Sequence, residues 1–127
     1  MEELRSFLSE IEGGHRGRNG HEPPLDVYET ASEIVIEIEL PGMEREDIGL
    51  RLFRNVLVLE GVKRKESLPG VAFHRLERHF GRFVRILEVP PSADPEQVRA
   101  QLEQGILVIR FARVGDRQAS SRTIPID

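Results

Sequence analysis

Glu33-Ile-Val-Ile-Glu-Ile-Glu-Leu-Pro-Gly42 is the stretch that decides the fold. Ile34, Ile36, Ile38 and Leu40 fall on one side, and Glu33, Val35, Glu37 and Glu39 on the other, if the chain is extended. Successive side chains of a strand point to opposite faces, so the segment has one apolar and one mostly acidic face. That is the pattern of a half-buried antiparallel strand. Pro41-Gly42 ends it, as a turn dipeptide does.

The same period continues outward in both directions. Upstream, Val27 and Glu29 alternate with Tyr28 and Thr30. Downstream, Ile48, Leu50 and Leu52 alternate with Gly49 and Arg51. Arg54-Asn55 is a turn signal, and Val56-Leu-Val-Leu59 follows as a buried run that Gly61 and Lys63-Arg-Lys-Glu66 close. Beyond the Leu68-Pro-Gly70 turn, Phe73 to Glu77 reads as a further short strand. Phe83, Arg85, Leu87 and Val89 alternate up to Pro90-Pro91. Asp94-Pro95 opens a short turn, Val98, Ala100 and Leu102 alternate, and Gln104-Gly105 turns the chain into Ile106 to Phe111. About eight short strands separated by turn residues read as an all-β sandwich. After Arg113 the chain reads as polar and loose until its last residues.

The two ends differ from this pattern. Leu4, Phe7, Leu8 and Ile11 make an i, i+3, i+4, i+7 helical stripe. A helix this short is marginal alone in water, so it must pack on something or fluctuate. Gly13 to Gly20 is a flexible linker by composition. At the other end, Ile124 and Ile126 flank Pro125. Proline fixes its own φ and favours an extended residue before it, so the two isoleucines point the same way. They are either a two-pronged apolar plug or chance isoleucines on a loose terminus. The expected organisation is an N-terminal arm and linker over 1–22, a sandwich domain over 23–114 and a C-terminal extension over 115–127.

Composition excludes several functions. The 127 residues suit one domain, and a net charge of −4 does not favour nucleic acid or a membrane surface as partner. Cysteine is absent, which removes disulfides, thiol nucleophiles and cysteine metal clusters. No apolar run approaches the ~18 residues of a membrane span. The acidic start Met1-Glu-Glu-Leu-Arg5 lacks the apolar core of a secretion signal, so the expected location is the cytoplasm. The glycine run has no strand before it and no helix after it, so it is not a phosphate loop. No Gly-x-Ser-x-Gly elbow and no His-Glu-x-x-His spacing occur. His74 and His79, five apart, suit neither a helical nor a strand ligand pair. Glu29, Glu37 and Glu39 read as a solvated strand face that opposes edge-to-edge aggregation. The expectation is no enzyme: no catalytic residue, cofactor or metal.

Five motifs in order carry a resemblance. Ala100-Gln-Leu-Glu-Gln-Gly-Ile-Leu107 resembles the Ala-x-x-x-x-Gly-Val/Ile-Leu signature of the small heat shock protein (Hsp20, α-crystallin domain) family, bacterial type. Glu77-Arg-His-Phe-Gly-Arg-Phe-Val-Arg85, continuing to Val89-Pro90, is similar to its Arg-x-x-Gly-x-Phe-x-Arg segment. Asp26 to Thr30 and Ile34 to Gly42 resemble its opening strands. Asn55-Val-Leu-Val-Leu-Glu-Gly61 resembles its Asn-x-Leu-x-x-x-Gly strand, and Ile124-Pro-Ile126 its tail motif.

The resemblance implies an immunoglobulin-like antiparallel sandwich acting as an ATP-independent holdase that keeps partly unfolded clients from aggregating under stress. It implies a groove for the tail or a client, walled by Ile48, Leu50 and Leu52 and by Val98, Ala100 and Leu102. It implies a strand-exchanged dimer, with Val71, Phe73 and Arg75 of one subunit against Val27 and Tyr28 of the other and Arg85 nearby, and higher oligomers through the tail. Leu4, Phe7, Leu8 and Ile11 would be the client-binding arm, and ATP-dependent refolding chaperones would act downstream. The short arm puts large regular cages in doubt. The competing reading is a p23-like sandwich co-chaperone, which would not be expected to carry the Ile-Pro-Ile tail.

Overall fold

A computed structural model of the chain describes residues 2–14, 22–65, 67–114 and 121–127. Helix α1 (Glu2–Gly14) precedes eight strands: β1 (Leu25–Glu29), β2 (Glu33–Glu39), β3 (Ile48–Phe53), β4 (Val56–Lys63), β5 (Gly81–Glu88), β6 (Ala93–Glu103), β7 (Ile106–Arg113) and β8 (Ser121–Thr123). They form two four-stranded antiparallel sheets, ordered β1-β2-β7-β6 and β5-β4-β3-β8.

Alternation explains the core. Ile34, Ile36 and Ile38 pair in register with Phe111, Ile109 and Leu107 of β7, and all six are buried. Leu50 and Leu52 pair with Leu59 and Leu57 and form the facing layer with Phe83. Each such side chain contributes about 1.5–3 kcal/mol relative to exposure. Gly61 also belongs to this layer for a steric reason. A Cβ there would lie 2.7 Å from Cζ of Phe83, its cross-strand partner, and 2.9 Å from the Asp47 carbonyl oxygen.

The acidic face of β2 is paired as well as solvated. Glu33 accepts from Arg110 at 3.1 Å and from Arg99 at 3.5 Å, and Arg113 lies 3.4 Å from Glu29. Tyr28 donates to Glu37 Oε2 at 2.9 Å. That hydrogen bond to a carboxylate favours the neutral phenol and holds its pKa above the ordinary 10.0. Val35 lies on this outer face yet is fully buried, flanked in register by Tyr28 and Arg110.

Three expectations are corrected. Phe73 to Glu77 is not a strand, since residues 71–80 carry no strand at all. A strand needs a ladder partner, and among the described residues none pairs with it. The chain after Arg113 is not loose right up to the isoleucines, because β8 forms at Ser121–Thr123 on the free edge of β3. Strand β6 starts earlier than expected, at Ala93, and absorbs the Asp94-Pro95 turn as an irregularity between Ala93 and Val98. The buried Asp94 carboxylate accepts the Glu96 N–H at 3.0 Å there.

Candidate functional site: the groove at the sandwich edge

Strand β6 borders one sheet, and β3 is the last strand of the other before the short C-terminal β8, so their inward rows flank one side of the sandwich. The rows are Ile48, Leu50 and Leu52 on β3, and Val98, Ala100 and Leu102 on β6. Leu50, Leu52 and Ala100 are buried, while Ile48, Val98 and Leu102 are half-buried and pack against the same core. Between the rows lies the chain's own C-terminal segment.

That segment crosses from one sheet to the other. Arg51, Leu52 and Phe53 pair with Thr123, Arg122 and Ser121 of β8. The Ile124 N–H then donates to the Leu50 carbonyl at 3.2 Å. Two residues on, Ile126 bridges in parallel to Ala100. The Asp127 N–H donates to the Ala100 carbonyl at 2.9 Å, and the Leu102 N–H donates to the Asp127 main-chain oxygen at 3.0 Å. Pro125, which has no N–H to satisfy, stands exposed between the isoleucines. Ile124 is only 2% exposed and belongs to the sandwich core, and Ile126 is half-buried against it. Ala100 has no bulk beyond Cβ, so Ile126 can lie beside its main chain.

The family model described as Hsp20/alpha crystallin family matches residues 26–127, from β1 through the docked tail. This chain belongs to the Hsp20/alpha crystallin family.

Small heat shock protein C4 of Rickettsia felis is 32% identical over 105 residues, covering 82% of this chain and 63% of that protein. The 18.9 kDa heat shock protein of Oryza sativa subsp. japonica is 36% identical over 104 residues, covering 80% and 59%. The chain thus spans less than two thirds of the length of either curated relative. Among solved structures, heat shock protein 16.0 from Schizosaccharomyces pombe superposes with a TM-score of 0.68 at 27% identity, over 84% of this chain and 99% of that one. A small heat-shock protein from Xylella fastidiosa gives 0.68 at 28% identity, over 78% and 92%.

In this Hsp20/alpha crystallin domain the residues expected at a dimer interface lie on the side opposite the groove. Val27 and Tyr28 are on β1, the outer strand of its sheet, and both are 42% exposed. Val71 and Phe73 are exposed in the segment before β5, where the Lys65 ammonium sits 5.3 Å from the Phe73 ring centroid. Arg75 pairs with Glu77 at 3.0 Å, a contact so exposed that it adds little. Arg85, on the inward row of β5, pairs with Glu22 at 3.2 Å just before β1.

The arm residues are divided. Leu4 and Phe7, with Val56 and Val84, pack against Phe53 and Val58 on the outer face of the β3-β4-β5 sheet. The side chains of Leu8 and Ile11, like His15, His21 and most of the glycine linker, lie outside the described residues. No residue on this outer face was singled out from sequence as a binding position. The signal was present: Leu52-Phe53 and Val56-Leu-Val-Leu59 are apolar on both faces, and a strand apolar on both faces is covered on both. Among the described residues no cluster of His, Cys, Asp and Glu fit for a metal occurs, and no helix is long and apolar enough to cross a membrane.

Proposed function

We propose that this chain is an ATP-independent holdase whose apolar groove is covered reversibly by its own tail and opens to partly unfolded proteins. The observation that carries the reading is Ile124, seated in the core by a C-terminal segment that pairs with β3 through β8 and bridges to β6 through Ile126. Burying it contributes about 1.5–3 kcal/mol. Each edge hydrogen bond adds about 0.5–1.5 kcal/mol net, and each ordered backbone residue costs about 1–2 kcal/mol. The gains and costs nearly cancel. A plug of roughly millimolar strength, tethered at a roughly millimolar effective concentration, is docked part of the time and free part of the time. When free, the tail leaves an apolar slot with an unpaired strand edge on each side, which suits an extended unfolded segment. It can also enter a second chain's groove and so build oligomers.

Dimerisation uses the other side of the sandwich. Strand β1 pairs only with β2 among the described residues, so its other edge has no ladder partner there. The segment before β5 encloses a hollow of about 310 Å³ lined by Leu68, Phe73, Leu76 and Phe80 together with charged residues that include Arg75 and its partner Glu77. A missing ladder partner and the exposed Val27, Tyr28, Val71 and Phe73 both favour exchange of residues 71–75 onto β1 of a second copy. Val27, Tyr28, Val71 and Phe73 would then be covered, and Arg85 would lie next to the contact.

The test is light scattering of a heat-aggregating protein with this chain added and no nucleotide. Near-stoichiometric suppression is expected, and the Ile124→Ala/Ile126→Ala chain should change both the required ratio and the assembly size. A folded chain that suppresses nothing at any ratio overturns the reading.

A further inference from the structure

A second apolar surface lies on the face of the β3-β4-β5 sheet that points away from the groove. Phe53 and Val58 are fully buried there, with Val56 and Val84 half-buried beside them. They take no part in the core between the sheets. What covers them is α1, through Leu4 and Phe7. The Phe7 and Phe53 rings lie 5.4 Å apart, tilted by 40°. The Arg51 guanidinium lies against both, 4.9 Å from the Phe7 centroid and 5.3 Å from that of Phe53. A cation held against two rings favours an aromatic occupant over an aliphatic one.

Two features mark this surface as a site and not merely the resting place of α1. It is larger than its occupant: Ile86 pairs in register with Val58, on the same face, and is still 47% exposed. Its occupant also has the form of a helix bound in an apolar recess. A short amphipathic helix, marginal alone, is ordered here by anchors three residues apart. A partly unfolded protein displays such segments in quantity, since nascent helices persist in denatured chains.

We propose that this surface binds amphipathic helical segments of client proteins that carry an aromatic anchor and an aliphatic one at i, i+3 spacing, and that α1 is its resident competitor. The client consequence rests on the holdase reading, while the surface itself is tested by peptide binding alone. The probe is a fluorescein-labelled peptide of the α1 sequence, Glu2 to Glu12, followed by anisotropy against the full chain. Phe7→Ser in the chain removes the resident anchor, and the peptide should then bind at least tenfold more tightly than to the unaltered chain. Adding Val84→Lys, at a half-buried position opposite Glu60 and with the fold checked by circular dichroism, should abolish that gain. Adding Arg51→Ala leaves the apolar strip intact and should weaken the peptide severalfold while sparing a version with leucine in place of its phenylalanine. Equal binding to the unaltered and Phe7→Ser chains, or binding indifferent to Val84→Lys, overturns the proposal. Peptide binding without client protection keeps the surface and sinks the holdase reading. Client protection without peptide binding does the reverse.

Discussion

The two ends of this chain dock on the same strand by different physics. Arg51, Leu52 and Phe53 meet the tail through their main chain, by pairing with β8, while the Leu50 and Leu52 side chains meet Ile124. The N-terminal helix meets the outward side chains of the same stretch, Arg51 and Phe53. The tail therefore has a register, set by hydrogen bonds at Leu50 and Ala100. The helix has an apolar contact and a cation lying against two rings, with no backbone bond holding it to the sheet among those described. A contact with register admits extended segments of one direction, whereas a contact of side chains alone admits any helix with suitable anchors.

The largest change should come from Ile124→Ala. Truncating a fully buried isoleucine costs about 2–5 kcal/mol, which equals or exceeds the whole docking free energy of the tail. The Ile124 and Asp127 amides should lose their protection from hydrogen exchange, while those of β2 and β7 keep theirs. Retained protection would mean that the hydrogen bonds, not the side chain, hold the tail.

Ala100→Leu attacks the same dock from the wall. Overpacking costs about 1–3 kcal/mol. The expected result is a selective loss of protection at Asp127 with less change at Ile124, which sits against β3. Uniform loss along the tail would show that it docks as one unit.

The shared strand leads us to expect the two docks to be coupled. Removing β8 frees the main chain of residues 51–53, from which Arg51 and Phe53 reach α1. A double-mutant cycle of Ile124→Ala with Phe7→Ser, read by exchange of the α1 and tail amides, should give a coupling of about 0.5 kcal/mol or more. Linkage requires the effect to be equal in both directions. Additive effects would make the docks independent.

The smallest effect lies on the other sheet and should reach neither end. Tyr28 is the chain's sole tyrosine, so phenolate absorbance reports it alone. Its bond to Glu37 raises its pKa, and any stability this confers is present below pH 10 and lost as pH rises through the folded value. Glu37→Gln should lower the midpoint toward 10 without altering protection at Ile124 or in α1.

Most strands could be read from the sequence because side-chain alternation is a local property. Ile34 to Leu40 and Ile48 to Leu52 have a polar or small neighbour at almost every second step, and the turns at Arg54-Asn55 and Gln104-Gly105 stand where a chain must reverse. The misreadings fall where the deciding partner is remote. Ser121–Thr123 has no apolar period and forms a strand because β3 offers it a free edge. Phe73 to Glu77 has the apolar content of a strand but no ladder partner among the described residues. Phe7 read as one position of a helical stripe, with nothing to say which surface would receive it.

By itself the sequence determined the sandwich and the alternating apolar rows of its strands, because each depends on covalent spacing and backbone geometry over a few residues. Only the tertiary structure decided that the tail packs between β3 and β6 of its own chain, that a strand precedes Ile124, and that α1 covers the outer face of β3. Those outcomes depend on which surfaces distant segments present to one another, and on small differences between burial and ordering that no local pattern records.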